Sequence, residues 1–375
     1  MRLLYVTIEN FDDESIDCYG ITKKILGQVV ALQKLGFEVD YIGRMNDEII
    51  LFSNNGNEVL FNCSGSNYID FSNIEKEILS FIKNKKYNVL YTRYSATSSW
   101  NTKKLYKKCR NGGVKVFLEV PTYPYKEEMC INVKAFLNFI VSEFFNLWMK
   151  KYITSIVAFG EFDTIMGVSV ISIKNGIDMT KIPITRNNSE KTLRLVAMGS
   201  LKGWQGYDRL LEGLAAYYNC SSRIKREIHV DVIGDGLELE HYRKIVRDNN
   251  LHKYVNFHGK KGGALLDTIL SSVHIGINSL GCHRKGVKEL STLKSKEFLA
   301  RGLPIVYSTY ENCLSEDLYF CKKIPENDFP VDIDEIISFY DEVAKHKNYP
   351  ETIRSYAEST VSWDLQMKKI FRHLQ

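Results

Sequence analysis

The chain has 375 residues, of which 44% are hydrophobic and 25% are charged, so it is long enough for two globular domains and its composition excludes extensive disorder. Its formal net charge of +5 suits an anionic ligand or an anionic membrane surface, but is too small to indicate nucleic-acid binding. Its eight scattered cysteines form no Cys-x-x-Cys pair, which argues against disulfides or a zinc site. We therefore expect a cytoplasmic protein without a signal peptide or a membrane span.

Short apolar runs in the first half of the chain alternate with segments of helical spacing. The predicted strands are residues 3–8, 37–42, 89–92 and 114–119. Apolar residues recur every three or four positions across 25–35, Gly36 ends that helix, and a second helix is predicted over about 98–110. Because strands and helices alternate, we predict a parallel sheet covered by helices.

The second half repeats this pattern more regularly. Its predicted strands are residues 193–198, 228–233, 255–259, 273–277 and 304–307, and its predicted helices include 207–218, 237–249 and 292–301. A domain boundary is predicted within 173–192, because Asn175-Gly176 is a turn signal and residues 187–191 are polar. Ligands of such sheets bind beyond the carboxyl ends of the strands. A chain with two of these sheets is therefore predicted to be a two-substrate α/β enzyme or a binding protein that closes around its ligand.

Four segments resemble a known family. Residues 289–304 read Glu-Leu-Ser-Thr-Leu-Lys-Ser-Lys-Glu-Phe-Leu-Ala-Arg-Gly-Leu-Pro and are similar to the E-x7-E motif of retaining family 4 glycosyltransferases. Residues 175–178, 199–211 and 233–236 resemble the family's N-G-(I/V)-D, G-R-L-x-x-x-K-G-x-D-x-L-L and (I/V)-G-x-G segments, in the family's order. In the first half, residues 36–39 are similar to its G-H-E-V.

The resemblance implies a fold and a division of labour. The implied fold is α/β, of the GT-B type, with two Rossmann-like doubly wound domains that face each other across a cleft. Residues 1–172 would form the acceptor-binding domain and residues 173–350 the domain that binds the nucleotide-sugar donor. The last helix, 351–375, would pack back onto the first domain.

The resemblance also implies donor-site roles for the two glutamates of the E-x7-E segment. Glu297 would accept hydrogen bonds from the ribose hydroxyls and Glu289 would approach the donor sugar, work that suits carboxylates. A helix beginning near Thr292 would direct its free N–H groups, including that of Leu293, at the diphosphate. The strand-end glycines Gly199 and Gly234 are predicted to line the same site. Taken alone, the two glutamates also fit exposed helix positions.

The chain departs from the family pattern at the two positions whose Arg and Lys grip the diphosphate. Ser200 and Gln205 stand there. We keep Ser200 as a donor contact, and the local cations that remain are Lys202, Arg209, Arg284 and Lys294. For Arg209, pairing with an acid on a helix face is the other interpretation.

A variant found in bacterial polysaccharide clusters is similar to residues 204–209, 279–286 and 293–297, through its W-x-G-Y-D-R, S-L-G-x-H-R-x-G and L-K-x-(K/R)-E segments. We predict that Arg284, on a glycine-flanked loop after a strand, and Lys294 act at the reaction centre. A solvated surface charge is the other interpretation of Arg284.

The acceptor side is predicted from the first half. Residues 119–128 contain a segment similar to the P-T-Y-P-Y-x-x-E of the same variant, and we predict that Thr122, Tyr123 and Glu128 line the acceptor site. A rigid turn over the sheet is the other interpretation. Gly20 opens the first helix and is predicted to meet the acceptor or the phosphates, although an ordinary helix start is equally consistent with it.

Residues 134–152 combine Lys134, Lys150 and Lys151 with large apolar residues that include Phe136, Leu137, Phe139, Ile140, Phe144, Phe145, Leu147 and Trp148. A helix of this composition would rest on an anionic bilayer and reach a lipid-linked acceptor. The other interpretation is an ordinary core helix.

The predicted function is a metal-independent, hexosyltransferase-type glycosyltransferase. No convincing Asp-x-Asp motif follows a strand, so no metal or other cofactor is expected, and the helix dipole and cations would stabilise the phosphate charge. The donor would be a UDP-sugar or, second, a GDP-sugar, and the acceptor a saccharide or a lipid-linked acceptor of surface polysaccharide synthesis at the inner face of the membrane. The alternatives are a catalytically silent sugar-nucleotide-binding subunit, which the missing Arg/Lys pair favours, and a GT-B 2-epimerase, which the lack of histidine before His229 disfavours.

Overall fold

A computed structural model of the protein describes residues 1–12, 20–82, 84–95, 98–123, 133–180, 182–186, 191–220, 226–286 and 288–373. The chain forms two compact units: unit 1 comprises Met1–Asn175 and Trp363–Gln375, and unit 2 comprises Gly176–Ser362. The first crossing, at Gly176, falls within the segment 173–192, and the chain returns to unit 1 only at Trp363.

Unit 1 is built on a nine-stranded sheet. Its strands are β1 Arg2–Asn10, β2 Glu38–Met45, β3 Glu48–Ser53, β4 Gly56–Asn62, β5 Val89–Arg93, β6 Lys115–Val120, β7 Ser155–Phe159, β8 Thr164–Ile165 and β9 Val168–Ile173. Their order across the sheet is β4-β3-β2-β1-β5-β6-β7-β9-β8. All neighbours from β2 to β9 are parallel, and the β3–β4 hairpin and β8 extend the sheet with antiparallel pairs at its two edges.

Helices cover both faces of this sheet. They are α1 Gly20–Lys34, α2 Asn67–Phe81, α3 Trp100–Asn111 and α4 Val133–Met149. Successive residues of β1 point to opposite faces, so Leu3 belongs to the core under α1 and Leu4 to the core under α2 and α3. Burial on both faces explains why these strands read as continuous apolar runs.

Unit 2 contains a six-stranded, entirely parallel sheet in the order β12-β11-β10-β13-β14-β15. Its strands are β10 Thr192–Met198, β11 Glu227–Ile233, β12 Val255–Gly259, β13 Ile275–Ile277, β14 Ile305–Tyr307 and β15 Cys321–Lys323. Its helices are α5 Tyr207–Asn219, α6 Leu239–Asp248, α7 Gly263–Leu270, α8 Leu293–Ala300, α9 Ile333–Ala344 and α10 Tyr349–Thr360. Leu195 and Val196 bury into separate cores on the two faces of the sheet. The two sheets confirm the predicted α/β class and the two Rossmann-like, doubly wound units.

The C-terminal segment differs from the single helix predicted over 351–375. It contains α10, which belongs to unit 2, and α11 Trp363–Arg372, which belongs to unit 1. Helix α10 ends after Thr360 because the next two residues pair with Ile177. The Ile177 N–H donates to the Val361 carbonyl over 2.9 Å, and Ile177 forms a β-bridge with Ser362.

Among the described residues, no helix combines the length and apolar character that crossing a bilayer requires.

Candidate functional site

The carboxyl ends of β10 and β11 meet through two glycines in unit 2. Gly199 and Gly234 have φ values of +131° and +135°, and the Gly199 N–H donates to the Ile233 carbonyl over 2.9 Å. A Cβ on Gly234 would lie 1.9 Å from the Gly199 carbonyl oxygen, so position 234 accepts only glycine. This close approach leaves an open backbone edge at Gly199 and Ser200, both of which are exposed.

Helix α8 begins where the sequence predicted it. Thr292 is its N-cap, and the Thr292 Oγ1 accepts the N–H of Ser295 over 3.4 Å. The N–H groups of the first turn, at Leu293 and Lys294, have no acceptor within the helix. The start of α8 therefore offers hydrogen-bond donors and the positive end of the helix dipole.

A buried glutamate that the sequence analysis missed holds the start of α8. Glu311 is fully buried, and its carboxylate accepts the N–H of Thr292 over 2.9 Å and the Lys296 Nζ over 2.6 Å. The Asn278 side chain, just beyond β13, also donates to it over 3.2 Å. Since Lys296 is fully buried too, this ion pair ties α8 to the segments that follow β13 and β14.

Glu289 and Glu297 lie on different elements. Glu289 precedes α8, is exposed, and forms no hydrogen bond or ion pair with any residue that the structure describes. Glu297 lies within α8 with 15% of its side chain exposed, and its Oε1 accepts the Arg301 Nε over 2.9 Å and Nη2 over 2.7 Å. Its second oxygen, Oε2, accepts no hydrogen bond from the described part of the chain, so it has capacity for a ligand hydroxyl.

The structure brings Lys294 to Gln205, one of the two positions where the chain departs from the family, and Gln205 in turn contacts the other, Ser200. The Lys294 Nζ donates to the Gln205 Oε1 and, over 2.9 Å, to the Tyr207 Oη. The Gln205 Nε2 donates to the Ser200 carbonyl over 3.1 Å, and the Ser279 Oγ donates to the Gln205 Oε1 over 2.9 Å. Burial of the ammonium lowers the pKa of Lys294 to about 7.

Arg209 makes contacts other than the predicted ones. It is 2% exposed, and all three nitrogens of its guanidinium donate to nearby groups of unit 2. The acceptors are the carbonyls of Leu280, Pro325 and Phe329 and the side chain of Asn327. Neither a pair with a neighbouring acid nor an open phosphate contact describes this side chain, and we infer that it joins the loop after β13 to segment 325–329.

Arg284 is also occupied. Its guanidinium forms a bidentate pair with Asp208 over 3.0 and 2.7 Å, and its Nε donates to the Asp328 Oδ1 over 2.7 Å. These hydrogen bonds, that of Asp208 first, raise the pKa of Arg284 above its ordinary value. The Gly203 carbonyl accepts a further bond over 2.8 Å. Arg284 is thus an exposed cation that is paired with two carboxylates.

Two exposed lysines flank Trp204 near the same edge of the sheet. The Lys202 Nζ lies 4.8 Å from the centroid of the Trp204 ring, and the Lys285 Nζ lies 3.2 Å from it. Lys202 was predicted as a donor contact, whereas Lys285 was missed because an exposed lysine carries no local signal of its role.

The predicted acceptor residues lie in unit 1. Gly20 is the first residue of α1, and Thr122 and Tyr123 are exposed just beyond β6. The Tyr123 ring stands edge-on to Phe162, with 5.2 Å between the centroids. Glu128 lies outside the described residues.

A buried charged cluster in unit 1 was missed by the sequence analysis. Glu119, fully buried at the end of β6, accepts the Arg93 Nη1 over 3.0 Å, the Tyr91 Oη over 2.7 Å and the Gln28 Nε2 over 2.9 Å. The Lys24 Nζ lies 3.8 Å from its Oε1. Burial alone would raise the pKa of Glu119, but the two cations hold that pKa below its ordinary value.

This cluster occupies the switch point of the unit 1 sheet. Strands β2 and β5 flank β1. The chain builds the sheet from β1 toward β2, β3 and β4 on one side, and then returns to place β5 on the other side of β1. The Arg93 Nε, at the end of β5, lies 3.9 Å from the Glu9 Oε1 near the end of β1. Crevices of doubly wound sheets open at this position.

Among the residues that the structure describes, no three or more His, Cys, Asp or Glu side chains are grouped so that they could hold a metal ion.

No protein-family model and no curated protein matches the chain. Solved structures do match it over nearly its whole length. A glycosyltransferase from Rickettsia africae has a TM-score of 0.65 at 12% identity, and the match covers 100% of this chain and 97% of that one. Sucrose-phosphate synthase from Thermosynechococcus elongatus has a TM-score of 0.63 at 13% identity, with 100% and 98% covered. WaaG, a glycosyltransferase involved in lipopolysaccharide biosynthesis, has a TM-score of 0.60 at 11% identity, with 98% of each chain covered.

These neighbours confirm at the level of the fold the resemblance that the sequence motifs indicated. The order of strands and helices in both units supports the same fold. So does the extent of the three matches, which cover at least 97% of each chain. The chain has the two-domain GT-B fold of glycosyltransferases.

Proposed function

We propose that this protein is a retaining glycosyltransferase that moves a sugar from a nucleotide-diphosphate-sugar to a saccharide or lipid-linked acceptor. The observation that carries the proposal is the polar edge of the unit 2 sheet. There the exposed backbone N–H of Ser200, the start of α8 and the ammonium of Lys294 supply donors and positive charge within a GT-B fold.

In this proposal unit 2 binds the donor. The Glu297 Oε2, which Arg301 does not contact, accepts hydrogen bonds from the ribose hydroxyls. The two hydrogen bonds from Arg301 to the Glu297 Oε1 fix the orientation of the carboxylate. Glu289, exposed and unpaired among the described residues, contacts the donor sugar. The N–H groups of Leu293 and Ser200 face the diphosphate together with the close-packed Gly199 and Gly234.

Lys294 supplies the cation that the family pattern places at position 205. Its Nζ is bound to the Gln205 side chain, so the charge reaches that position from α8. A diphosphate would favour the protonated ammonium and raise its pKa above 7. Lys202 and Lys285 add positive charge at the rim. Arg209 and Arg284, whose nitrogens are occupied, position the surrounding loops in place of the binding and catalytic roles first predicted for them.

Unit 1 binds the acceptor at the carboxyl edge of its sheet. Gly20, Thr122 and Tyr123 lie at strand and helix ends on that side, and the Tyr123 ring offers a face or edge to a sugar. The buried Lys24–Glu119 cluster at the switch point holds α1 and the end of β6 in place beneath that edge. Glu128 remains part of the proposed acceptor side by sequence alone.

The reaction proposed is a front-face displacement. The acceptor hydroxyl oxygen bonds to the anomeric carbon as the bond from that carbon to the diphosphate oxygen breaks, and the leaving diphosphate takes the hydroxyl proton. Lys294 and the α8 dipole stabilise the charge that develops on the diphosphate, and no metal is required. UDP is the first nucleotide expected as the sugar carrier and GDP the second. The product would be a surface polysaccharide that is synthesised on the cytoplasmic side of the membrane.

A thermal-shift screen with UDP, GDP, ADP, dTDP and CMP tests the donor site. A nucleotide present at about 100 times its Kd stabilises the protein by about 2.7 kcal/mol, a readily measured shift. We expect one nucleotide to stabilise the wild type and Glu297→Ala to lose that response, while Glu240→Ala, which removes an exposed glutamate of α6, keeps it. No response of the wild type to any nucleotide contradicts the donor site. A normal response without turnover of the matching nucleotide-sugar favours the silent binding subunit.

A further inference from the structure

Helix α4 exposes its apolar residues. Seven of its large apolar side chains are between 42% and 63% exposed: Phe136, Leu137, Ile140, Val141, Phe144, Leu147 and Trp148. Their spacing of one, three and four positions places them on a single stripe of the helix. Single exposed apolar residues are common on protein surfaces, but a continuous stripe indicates a surface that something covers.

The side of α4 that faces the unit 1 core buries two polar residues beside the apolar Phe139 and Met149. Ser142 is fully buried and Asn146 is 2% exposed. The Ser142 Oγ accepts the N–H of Ser98 over 3.2 Å, and the Asn146 side chain accepts the Ser98 Oγ over 2.9 Å and donates to the Tyr94 Oη over 2.9 Å. Rolling the helix to bury its apolar stripe would leave these buried groups without partners. The outward orientation of the stripe is therefore set by the fold.

A basic helix lies beside the stripe. Helix α3 carries four lysines and one arginine and no acidic residue. The Lys103 Nζ lies 4.3 Å from the centroid of the Trp100 ring and 4.2 Å from that of Trp148, and Trp100 is 50% exposed. Lys107 follows one turn later on the same side of α3 and is exposed. The apolar stripe and the cationic side chains thus form one continuous surface.

We propose that this surface docks on a bilayer containing anionic lipids. We call it the docking face: the seven exposed apolar residues of α4 together with Trp100, Lys103 and Lys107 of α3. An apolar stripe rimmed by lysines and tryptophans matches the acyl boundary and the anionic headgroups of such a bilayer, with α4 lying in the interface plane. A second copy of the chain would bring two identical basic rims together, which charge repulsion disfavours. The inference concerns unit 1 and does not depend on the donor site of unit 2.

Sedimentation with vesicles of phosphatidylcholine, with and without phosphatidylglycerol, tests the proposal. We expect the wild type to bind the phosphatidylglycerol vesicles and to bind pure phosphatidylcholine far more weakly. Leu137→Gln with Leu147→Gln, at positions 57% and 63% exposed, should weaken binding about tenfold or more. Leu237→Gln with Leu265→Gln, at positions of unit 2 that are 89% and 64% exposed, should leave it unchanged.

The lysines are tested in the same assay. Lys103→Gln with Lys107→Gln should weaken binding to the anionic vesicles, and added salt should weaken it in the wild type, because both reduce the attraction to headgroups. The exposed lysines of the matched control, Lys244→Gln with Lys347→Gln, lie in unit 2 and should have no effect.

Three results overturn the proposal: a wild type that binds neither vesicle, binding that is insensitive to lipid charge, or an apolar double variant that binds like the wild type. Light scattering that shows a dimer which the double variant converts to a monomer, without vesicle binding, assigns the face to a second copy instead. Circular dichroism establishes that each variant is folded. The nucleotide response of unit 2, measured on the same samples, separates loss of docking from failure of the proposed transferase function.

Discussion

At the scale of single residues, two lysines have a strongly lowered pKa, one at the carboxyl edge of each sheet. Burial lowers the pKa of Lys24 and that of Lys294 to about 7 each. The Lys24 Nζ lies 3.4 Å from the centroid of the Phe159 ring, and the Lys294 Nζ lies 5.1 Å from that of Tyr207. In the proposed donor site, an approaching anion would favour the charged form of Lys294.

The role of Lys294 predicts a charge exchange. Lys294→Gln should weaken binding of the responsive nucleotide about tenfold, roughly 1.4 kcal/mol, because a cation beside the diphosphate is lost. Adding Gln205→Lys to that variant should restore most of the affinity, because the two side chains meet in the structure. Calorimetric titration measures both, with Lys244→Gln as the control. Unchanged binding by Lys294→Gln would show that the diphosphate charge is met elsewhere.

Lys24 predicts a pH dependence of stability. Its folded pKa, about 7, lies below the ordinary value of 10.5. Between these values the unfolded chain binds a proton that the folded protein has released, so the free energy of unfolding contributed by this group rises with pH across the window. Relative to Lys24→Met, the wild type should therefore gain stability as pH increases from about 7 to about 10 in denaturant titrations. Parallel profiles for the two proteins would contradict this, and Lys23→Met, which removes an exposed lysine of the same helix, is the control.

At the scale of elements, the backbone contact between the ends of β10 and β11 restricts position 234, at the carboxyl edge of the unit 2 sheet, to glycine. Gly234→Ala should destabilise unit 2 by about 3 kcal/mol or more, because its Cβ would lie 1.9 Å from a backbone oxygen, and the nucleotide response should be lost with it. Gly259→Ala has a comparable positive φ of +68° but no atom within 4 Å of its Cβ, so it should cost only about 1 kcal/mol. Thermal unfolding with and without nucleotide distinguishes the two. If the two substitutions destabilise unit 2 equally, the end of β11 can shift to accommodate a Cβ at position 234.

Helix α4 shows how far an element's pattern can be read without its surroundings. Its apolar residues predicted either a core helix or an interfacial helix. The structure shows the stripe exposed, since Ser142 and Asn146 are bound on the inner side by Tyr94 and Ser98. Those partners come from the segment after β5, about 50 residues earlier, and no local period contains them.

At the scale of the whole molecule, the chain begins and ends in unit 1. Helix α11 packs Trp363, Met367 and Ile370 into the same core as Leu3 of β1, so the last segment completes the first unit. This makes unit 1 discontinuous in sequence, with all of unit 2 inserted between Asn175 and Trp363.

Trp363 should therefore be a stability determinant of unit 1. Trp363→Ala removes a side chain that is 2% exposed and should destabilise unit 1 by about 3–5 kcal/mol. Hydrogen exchange should accelerate in β1 and β7 and stay unchanged in β10 and β11. Leu365→Ala, at a position of the same helix that is 36% exposed, should have little effect. Uniform acceleration in both units would mean that they unfold together.

The sequence by itself determined the α/β class, the positions of most strands and helices in the two sheets, and the motif that places Glu289, Glu297 and the start of α8. Hydrophobic period, turn residues and caps are local, so they can be read along the chain. Residues 46–88 and 155–173 were assigned no element, and β3, β4 and α2 occupy the first of these segments and β7, β8 and β9 the second. The hairpin's outer strand is largely exposed and therefore lacks a clear apolar period.

Only the tertiary structure decided which partners each charged side chain contacts. Arg209 and Arg284 carried the same sequence signal as Lys294, yet their guanidinium groups are occupied by carbonyls and carboxylates drawn from segments up to 120 residues away. Glu311, Lys24 and Glu119 carried no signal, because their partners converge through strand order and helix packing. Ion pairs form between residues that the fold brings together, and their sequence spacing has no period to read.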